Sequence, residues 1–292
     1  MTTLTKPTTR LNNLQTSDYA DKPIDIILNM WLHGKSTNTK AMYKRVSTKF
    51  ITFINIPLIE TRLDDIQEFV DSLSHLAVST QKTYTVVVKS LLSFIHKLGL
   101  THLNIGTLIK LPKTKDAINE RIMSKSDIKL IIENEPNTRN QLILKTIYYL
   151  GLRASEICGL KWTDLIPQPN GSGILAVFGK GNKTRFLIVP KHLFNELLAL
   201  KKDNQTYIFT SRKKNGKLDR TQIFRVVKAA GVRVGIADPS PHWYRHSHAT
   251  HSLENGADIH LLSSSLGHES IATTSRYLHA QPDDCSSLYL DL

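Results

Sequence analysis

GILAVFGKGNKTRFLIVP, residues 173–190, is the one persuasive β-hairpin in a chain whose apolar pattern is otherwise helical. The runs GILAVF and TRFLIVP are rich in strand-forming residues, and the GKGNK between them supplies the Gly and Asn that a tight connection needs. The same loop invites a phosphate-loop reading, which its spacing excludes. Such a loop requires Gly, four residues, then Gly-Lys-Ser/Thr between a strand and a helix. Here Gly173 and Gly179 stand too far apart, Gly181 follows Lys180, and a strand comes next. Lys180 at the tip is either a solvated charge or a cation held ready beside an adjoining cleft.

Upstream of the hairpin the periodicity is helical. Tyr43, Val46, Phe50 and Ile54 line one face of a helix opened by Ser36, Thr37 and Asn38; Ile66, Phe69, Val70 and Leu73 line another. The clearest pattern is Tyr84, Val87, Val88, Leu91, Leu92 and Ile95, with Ser79–Thr80 at its start and Gly99 at its end. Residues 24–108 therefore read as an all-helical domain, after a flexible lead-in over 1–23 that lacks apolar rhythm. Pro112 and a scatter of Lys and Arg mark a basic linker at 109–123. A helix begins near Ser124–Lys125–Ser126, and another, carrying Leu142, Ile143, Ile147 and Leu150, is closed by Gly151. Residues 124–292 form a second domain, mostly helical around the hairpin. The expected fold class is mainly α (α+β): an all-helical first domain and a mixed second one with a small antiparallel β-sheet.

Composition restricts the partner. Lys and Arg number 38 against 25 Asp and Glu, a formal charge of +13, which suits a polyanion such as nucleic acid. The excess is distributed, with 15 basic against 10 acidic residues in 1–120 and 23 against 15 in 121–292. The only cysteines, Cys158 and Cys285, make neither a disulfide framework nor a four-cysteine zinc site, so a reducing, cytoplasmic setting is expected. No apolar run has the length of a membrane span, and MTTLTKPTTR lacks the apolar core of an export signal.

Four further stretches carry candidate chemistry. In GLRASEICGLKW (151–162), Arg153 lies at an element junction; it is a site residue or a surface cation paired with Glu156. In PHWYRHSHATH (241–251), His242 and Arg245 share one helical face. His242 and His246 have the spacing of a zinc helix, but Trp243 occupies the place of the catalytic glutamate, and a neighbouring guanidinium suits an anion better than a metal. His268 follows Gly267, and Tyr277 comes nine residues later, either a core aromatic or a nucleophile whose phenolate needs nearby cations.

Taken in order, G-L-R-x-S-E, G-K-G-N-K, H-x-x-R, L-G-H and the later tyrosine resemble the tyrosine recombinase (phage integrase) family, most closely its Xer-type members. The resemblance covers about residues 120–280, and the helical portion with its basic linker is similar to the family's core-binding domain. It implies that Arg153 and Arg245 grip the non-bridging oxygens of a DNA phosphate and that His242 and His268 hydrogen-bond the same group, His242 also being a candidate proton acceptor. It further implies that Lys180 protonates the leaving 5′ oxygen and that Tyr277 attacks phosphorus to form a 3′-phosphotyrosyl link. Glu156 would support the site, and Lys161 and Lys183 are backbone contacts or solvated charges. No metal, nucleotide or other cofactor is implied; the partner is a double-stranded recombination site, bound as a homo- or hetero-tetramer on two sites. Chromosome dimer resolution and the integration of a phage or mobile element both stand as outcomes. A type IB topoisomerase and an inactive DNA-binding regulator lie further off. Leu288, Leu290 and Leu292 at the chain's end are expected to dock on a neighbouring protomer, as the family's tails do, or to pack on their own domain.

Overall fold

A computed structural model describes residues 19, 22–113, 121–179, 183–211, 216–268, 270–275 and 277. Lys180 and the C-terminal leucines therefore lie outside the described residues, as does most of the lead-in. Contacts divide the chain into two units, residues 1–115 and 116–292.

The first unit holds α1 (Ile24–Leu32), α2 (Thr37–Ile54), α3 (Leu63–Ser72) and α4 (Val78–Lys97), with short 3-10 turns at Leu58–Glu60 and Ile105–Leu108. Local chemistry sets their ends. The Ser36 hydroxyl accepts the Thr39 N–H to start α2, and Asn55 turns left-handed at φ 48° to end it. Helix α4 starts at Val78, ahead of the Ser79–Thr80 pair expected to open it. Its cap, Ala77, has no side-chain acceptor to offer the first turn, and the Gln81 amide donates back to the Leu76 carbonyl at 2.8 Å. The expected apolar faces meet in one core that includes Val46, Phe50, Ile66, Phe69, Val88, Leu91 and Ile95, with Phe50 and Phe69 packed edge to face at 5.0 Å. Ile109, grouped above with the linker, is buried in this core, and Lys89 Nζ donates to its carbonyl.

The second unit contains α5 (Lys125–Glu133), α6 (Thr138–Leu150), α7 (Ala154–Ile157), β1 (Leu165–Pro167), β2 (Gly173–Phe178), β3 (Thr184–Val189), α8 (Lys191–Leu200), α9 (Arg220–Arg233), α10 (Pro241–Glu254), α11 (Ile259–Leu266) and α12 (Ile271–Ser275). Helix α6 runs through the core, with Leu142, Ile143, Leu144, Ile147 and Leu150 all buried. The mainly α fold with a small antiparallel sheet is as expected. The sheet has the order β1-β2-β3, so the hairpin gains a third strand that periodicity did not reveal. Three residues are too few to show alternation, and Pro167 restricts β1 to an edge. In the hairpin, Val177 faces Arg185 and Gly173 faces Val189. Leu175, Val177, Leu187 and Val189 point to the core, which puts Arg185 on that same inward face. Met123, the last residue assigned to the linker, is also core, its N–H donating to Ser247 Oγ at 2.8 Å.

Candidate active site

Two helix ends and three arginines build the framework of the site. Helix α11 finishes in Gly267 at φ 64°, with Gly267 N–H bonded to the Ser264 carbonyl and His268 N–H to that of Ser263. This double closure is the reason for the Leu-Gly-His order: only a residue free to adopt positive φ turns the chain and launches His268. The carbonyls of 265–267 are left without helical partners and collect guanidinium groups. Arg185 Nε donates to Ser265 at 2.7 Å, Arg245 Nη2 to Leu266 at 2.6 Å, and Arg153 to Leu266 at 3.3 Å and Gly267 at 3.1 Å. Helix α6 ends in the same way, Gly151 standing at φ 58° with its carbonyl accepting Arg245 Nη1. Arg245 thus ties together the ends of α6 and α11, and only 4% of it is exposed.

Glu156 balances this charge. Its carboxylate takes Arg185 bidentately at 2.9 and 2.8 Å, the Arg153 N–H at 2.8 Å and Arg153 Nη1 at 3.0 Å. Arg153 is thus paired with Glu156, yet its side chain is still 30% exposed. Burial by itself would raise the Glu156 carboxyl, but the hydrogen bonds from Arg185 and Arg153 outweigh it and hold the group below its ordinary range. For Arg245 burial dominates, with Arg153 adding repulsion. The guanidinium falls to about 9, still protonated at neutral pH.

A cavity of about 280 Å³ opens beside these cations, lined by Arg153, Gly179, Lys183, Arg185, Gly267, His268 and Thr273. Two of its lining residues, Gly179 and Lys183, flank the undescribed tip that carries Lys180. Desolvation, then the positive charges of Arg245, Arg153 and Arg185, push His268 down to about 4, so its ring is neutral at physiological pH. Its Nδ1 lies 2.8 Å from Thr274 Oγ1.

Helix α10 starts with Pro241 in its first turn and carries His242, Arg245 and His246 on one face. Tyr277 packs with Ala249, Leu262 and Leu266 and is 3% exposed, which satisfies the core reading. Its hydroxyl is nonetheless in polar company, 2.8 Å from His246 Nδ1, and its ring stacks on that of His268 with centroids 6.5 Å apart. His246, not His242, is the histidine bonded to this hydroxyl. The His242 ring stands 6.3 Å from that of His246, and desolvation followed by the charges of Arg245, Arg220, Arg153 and Arg121 lowers its pKa.

The fold thus gathers Arg153, Arg245, His268, His242 and Tyr277 around one region, with Glu156 beneath. Lys161 is exposed and is not among the cavity's lining residues, whereas Lys183 is one of them. Two members were missed. The signal for His246 is its place one turn after His242, a spacing that in the sequence reads only as that of a zinc helix. Arg185 had no local signal beyond being a charge in an apolar strand. Among the described residues no group of three or more His, Cys, Asp or Glu could hold a metal ion.

The sequence profile of the phage integrase family matches residues 120–283. Tyrosine recombinase XerA of Pyrococcus horikoshii is 33% identical over 256 residues, 84% of each chain. Tyrosine recombinase XerD of Rickettsia bellii is 29% identical over 273 residues, 84% of this chain and 89% of its own. Among solved structures, a lambda integrase dimer bound to a COC′ core site superposes with a TM-score of 0.73 at 15% identity, covering 90% of this chain and 78% of that one.

Proposed function

This chain belongs to the phage integrase family as an Xer-type tyrosine recombinase, an enzyme of site-specific DNA recombination, and from that premise we propose that Tyr277 is its nucleophile. Tyr277 Oη attacks a DNA phosphorus, the bond to the 5′ oxygen breaks, and a 3′-phosphotyrosyl ester forms. The tyrosine proton passes to His246, the base beside it, and the departing 5′ oxygen takes a proton from Lys180. A second 5′ hydroxyl reverses the exchange on another strand, so the bond energy is conserved without ATP.

Arg153 and Arg245 hold the non-bridging oxygens, where negative charge accumulates in an in-line displacement, and His242 and His268 donate to the same group. Because these cations are already fixed by the carbonyls of α6 and α11, little reorganisation is needed when the phosphate arrives. Glu156 keeps Arg153 and Arg185 in place without touching the phosphate. Lys183 and Lys161 contact the DNA backbone.

The observation that supports this reading best is the pairing of Tyr277 Oη with His246 at 2.8 Å, close to a neutral His268 and a buried Arg245. The substrate is a double-stranded recombination site, the working assembly a tetramer on two such sites, and the setting cytoplasmic. The residues between Ile109 and Met123 serve as a basic linker between a helical core-binding domain and the catalytic domain, and residues 284–292 dock on a neighbouring protomer. Among the described residues no helix is long and apolar enough to cross a membrane. Of the two outcomes, chromosome dimer resolution is proposed ahead of the integration of a phage or mobile element, on the resemblance of the motifs to those of Xer-type recombinases.

The test is covalent capture on a nicked suicide duplex. Wild-type protein should form an adduct stable to denaturant, and Tyr277→Phe should form none; an adduct with Tyr277→Phe overturns the assignment. Sequencing DNA bound in the source genome separates chromosome resolution, with a site near the replication terminus, from integration, with sites flanking a mobile element. Removing residues 284–292 should weaken cooperative binding to paired sites.

A further inference from the structure

One buried hydroxyl beside the site has no part in the chemistry above. Thr274, in α12, is fully buried. Its Oγ1 lies 2.8 Å from Nδ1 of His268, and its carbonyl accepts the N–H of Tyr277 at 3.0 Å. A single residue is thus bonded to both the histidine and the tyrosine.

The chemistry of imidazole makes the first contact consequential. A neutral histidine has one proton for two nitrogens, and the partner of one nitrogen decides what the other offers. With Nδ1 turned to Thr274, Nε2 is the nitrogen left for the cavity that His268 lines. An anionic phosphoryl oxygen accepts from an N–H and repels a lone pair, so Nε2 must carry the proton. Nδ1 is then an acceptor in need of a donor, and the threonine hydroxyl is a donor in reach.

We propose that Thr274 is a positioning residue: its Oγ–H donates to Nδ1 of His268, holding the Nε2–H tautomer and the ring plane toward the phosphate. Its carbonyl meanwhile anchors the turn that delivers Tyr277. This rests on reading His268 as a phosphate ligand.

The test compares Thr274→Val, which keeps the shape and removes the hydroxyl, with Thr274→Ser, which keeps the hydroxyl, and with His268→Ala, all in the full chain. Single-turnover cleavage of a nicked suicide duplex should slow about tenfold in Thr274→Val, the size typical of losing a histidine's orienting partner, with duplex affinity unchanged. Thr274→Ser should stay within about twofold of wild type. Nitrogen-15 spectra of histidine-labelled wild-type protein should place the His268 proton on Nε2. Wild-type cleavage by Thr274→Val, a Thr274→Ser as slow as Thr274→Val, or a wild-type proton on Nδ1 would each overturn the proposal. If His268→Ala itself cleaves normally, the reading of His268 has failed and the proposal with it; slow His268→Ala beside normal Thr274→Val rejects Thr274 alone.

Discussion

At the scale of single residues, Glu156 shows how the site supports so many cations. Its side chain is 3% exposed and that of Arg185 12%, so this pair has left water and is held by geometry on both sides. Glu156→Gln would leave Arg185 buried beside an amide, at a cost of about 3–5 kcal/mol in chemical denaturation. A loss below ~1 kcal/mol would mean that water enters and the pair is a surface one. The histidines give a pH signature. His248, whose Nδ1 donates to the Tyr148 carbonyl at 2.7 Å, is pushed by burial down to about 4, as His268 is. Both are lowered from 6.5, so the unfolded chain takes up protons first. Their stabilising contribution is complete above pH ~6.5 and is lost as pH falls toward ~4. Denaturation midpoints should therefore drop between about pH 6.5 and 5, where carboxylates are still largely ionised. A flat profile over that window would show that both rings titrate normally. The residue types at Arg153, Arg245, His268 and Tyr277 were legible from motif order, whereas His246 was not, because its partner lies 31 positions away and only packing brings the two together.

At the scale of elements, the ends of α6 and α11 matter more than their lengths. Gly151 combines φ 58° with neighbours so near that an added Cβ would sit 2.7 Å from His248 and 2.7 Å from Leu266. Gly235 also has positive φ, at 79°, but nothing within 4 Å. Gly151→Ala should consequently lose more stability than Gly235→Ala, whose cost is the backbone term of about 1–2 kcal/mol alone. Because the Gly151 carbonyl accepts Arg245, Gly151→Ala should also slow cleavage at temperatures where it remains folded. Equal losses in the two variants, by denaturation and by adduct formation, would remove the crowding argument. These ends were foreseeable from sequence: glycine after an apolar period marks a helix stop. That three arginines would occupy the freed carbonyls of α11 was not, since the carbonyls carry no sequence signal at all.

At the scale of the whole molecule, charge is the dominant property. A surplus of +13 shared along the chain implies that DNA affinity rests largely on phosphate contacts and released counterions. For a protein of this kind, binding to a duplex should weaken about a thousandfold between roughly 50 and 200 mM salt. Affinity that hardly changes over that range would point to recognition by base contacts and shape instead.

Most helix limits, the hairpin and the chemical type of each candidate residue follow from the sequence itself, because caps, turns and the 3.6-residue period are decided by neighbours within a few positions; the start of α4, which no side chain caps, does not. Partnership does not. Arg185 reaches Glu156 across 29 positions and Arg153 reaches Gly267 across 114, and β1 exists only because β2 offers it an edge. Which guanidinium meets which carbonyl, and which histidine meets Tyr277, was settled by packing between elements far apart in the chain. Interactions of that kind contribute nothing to local periodicity, so only the tertiary structure contains them.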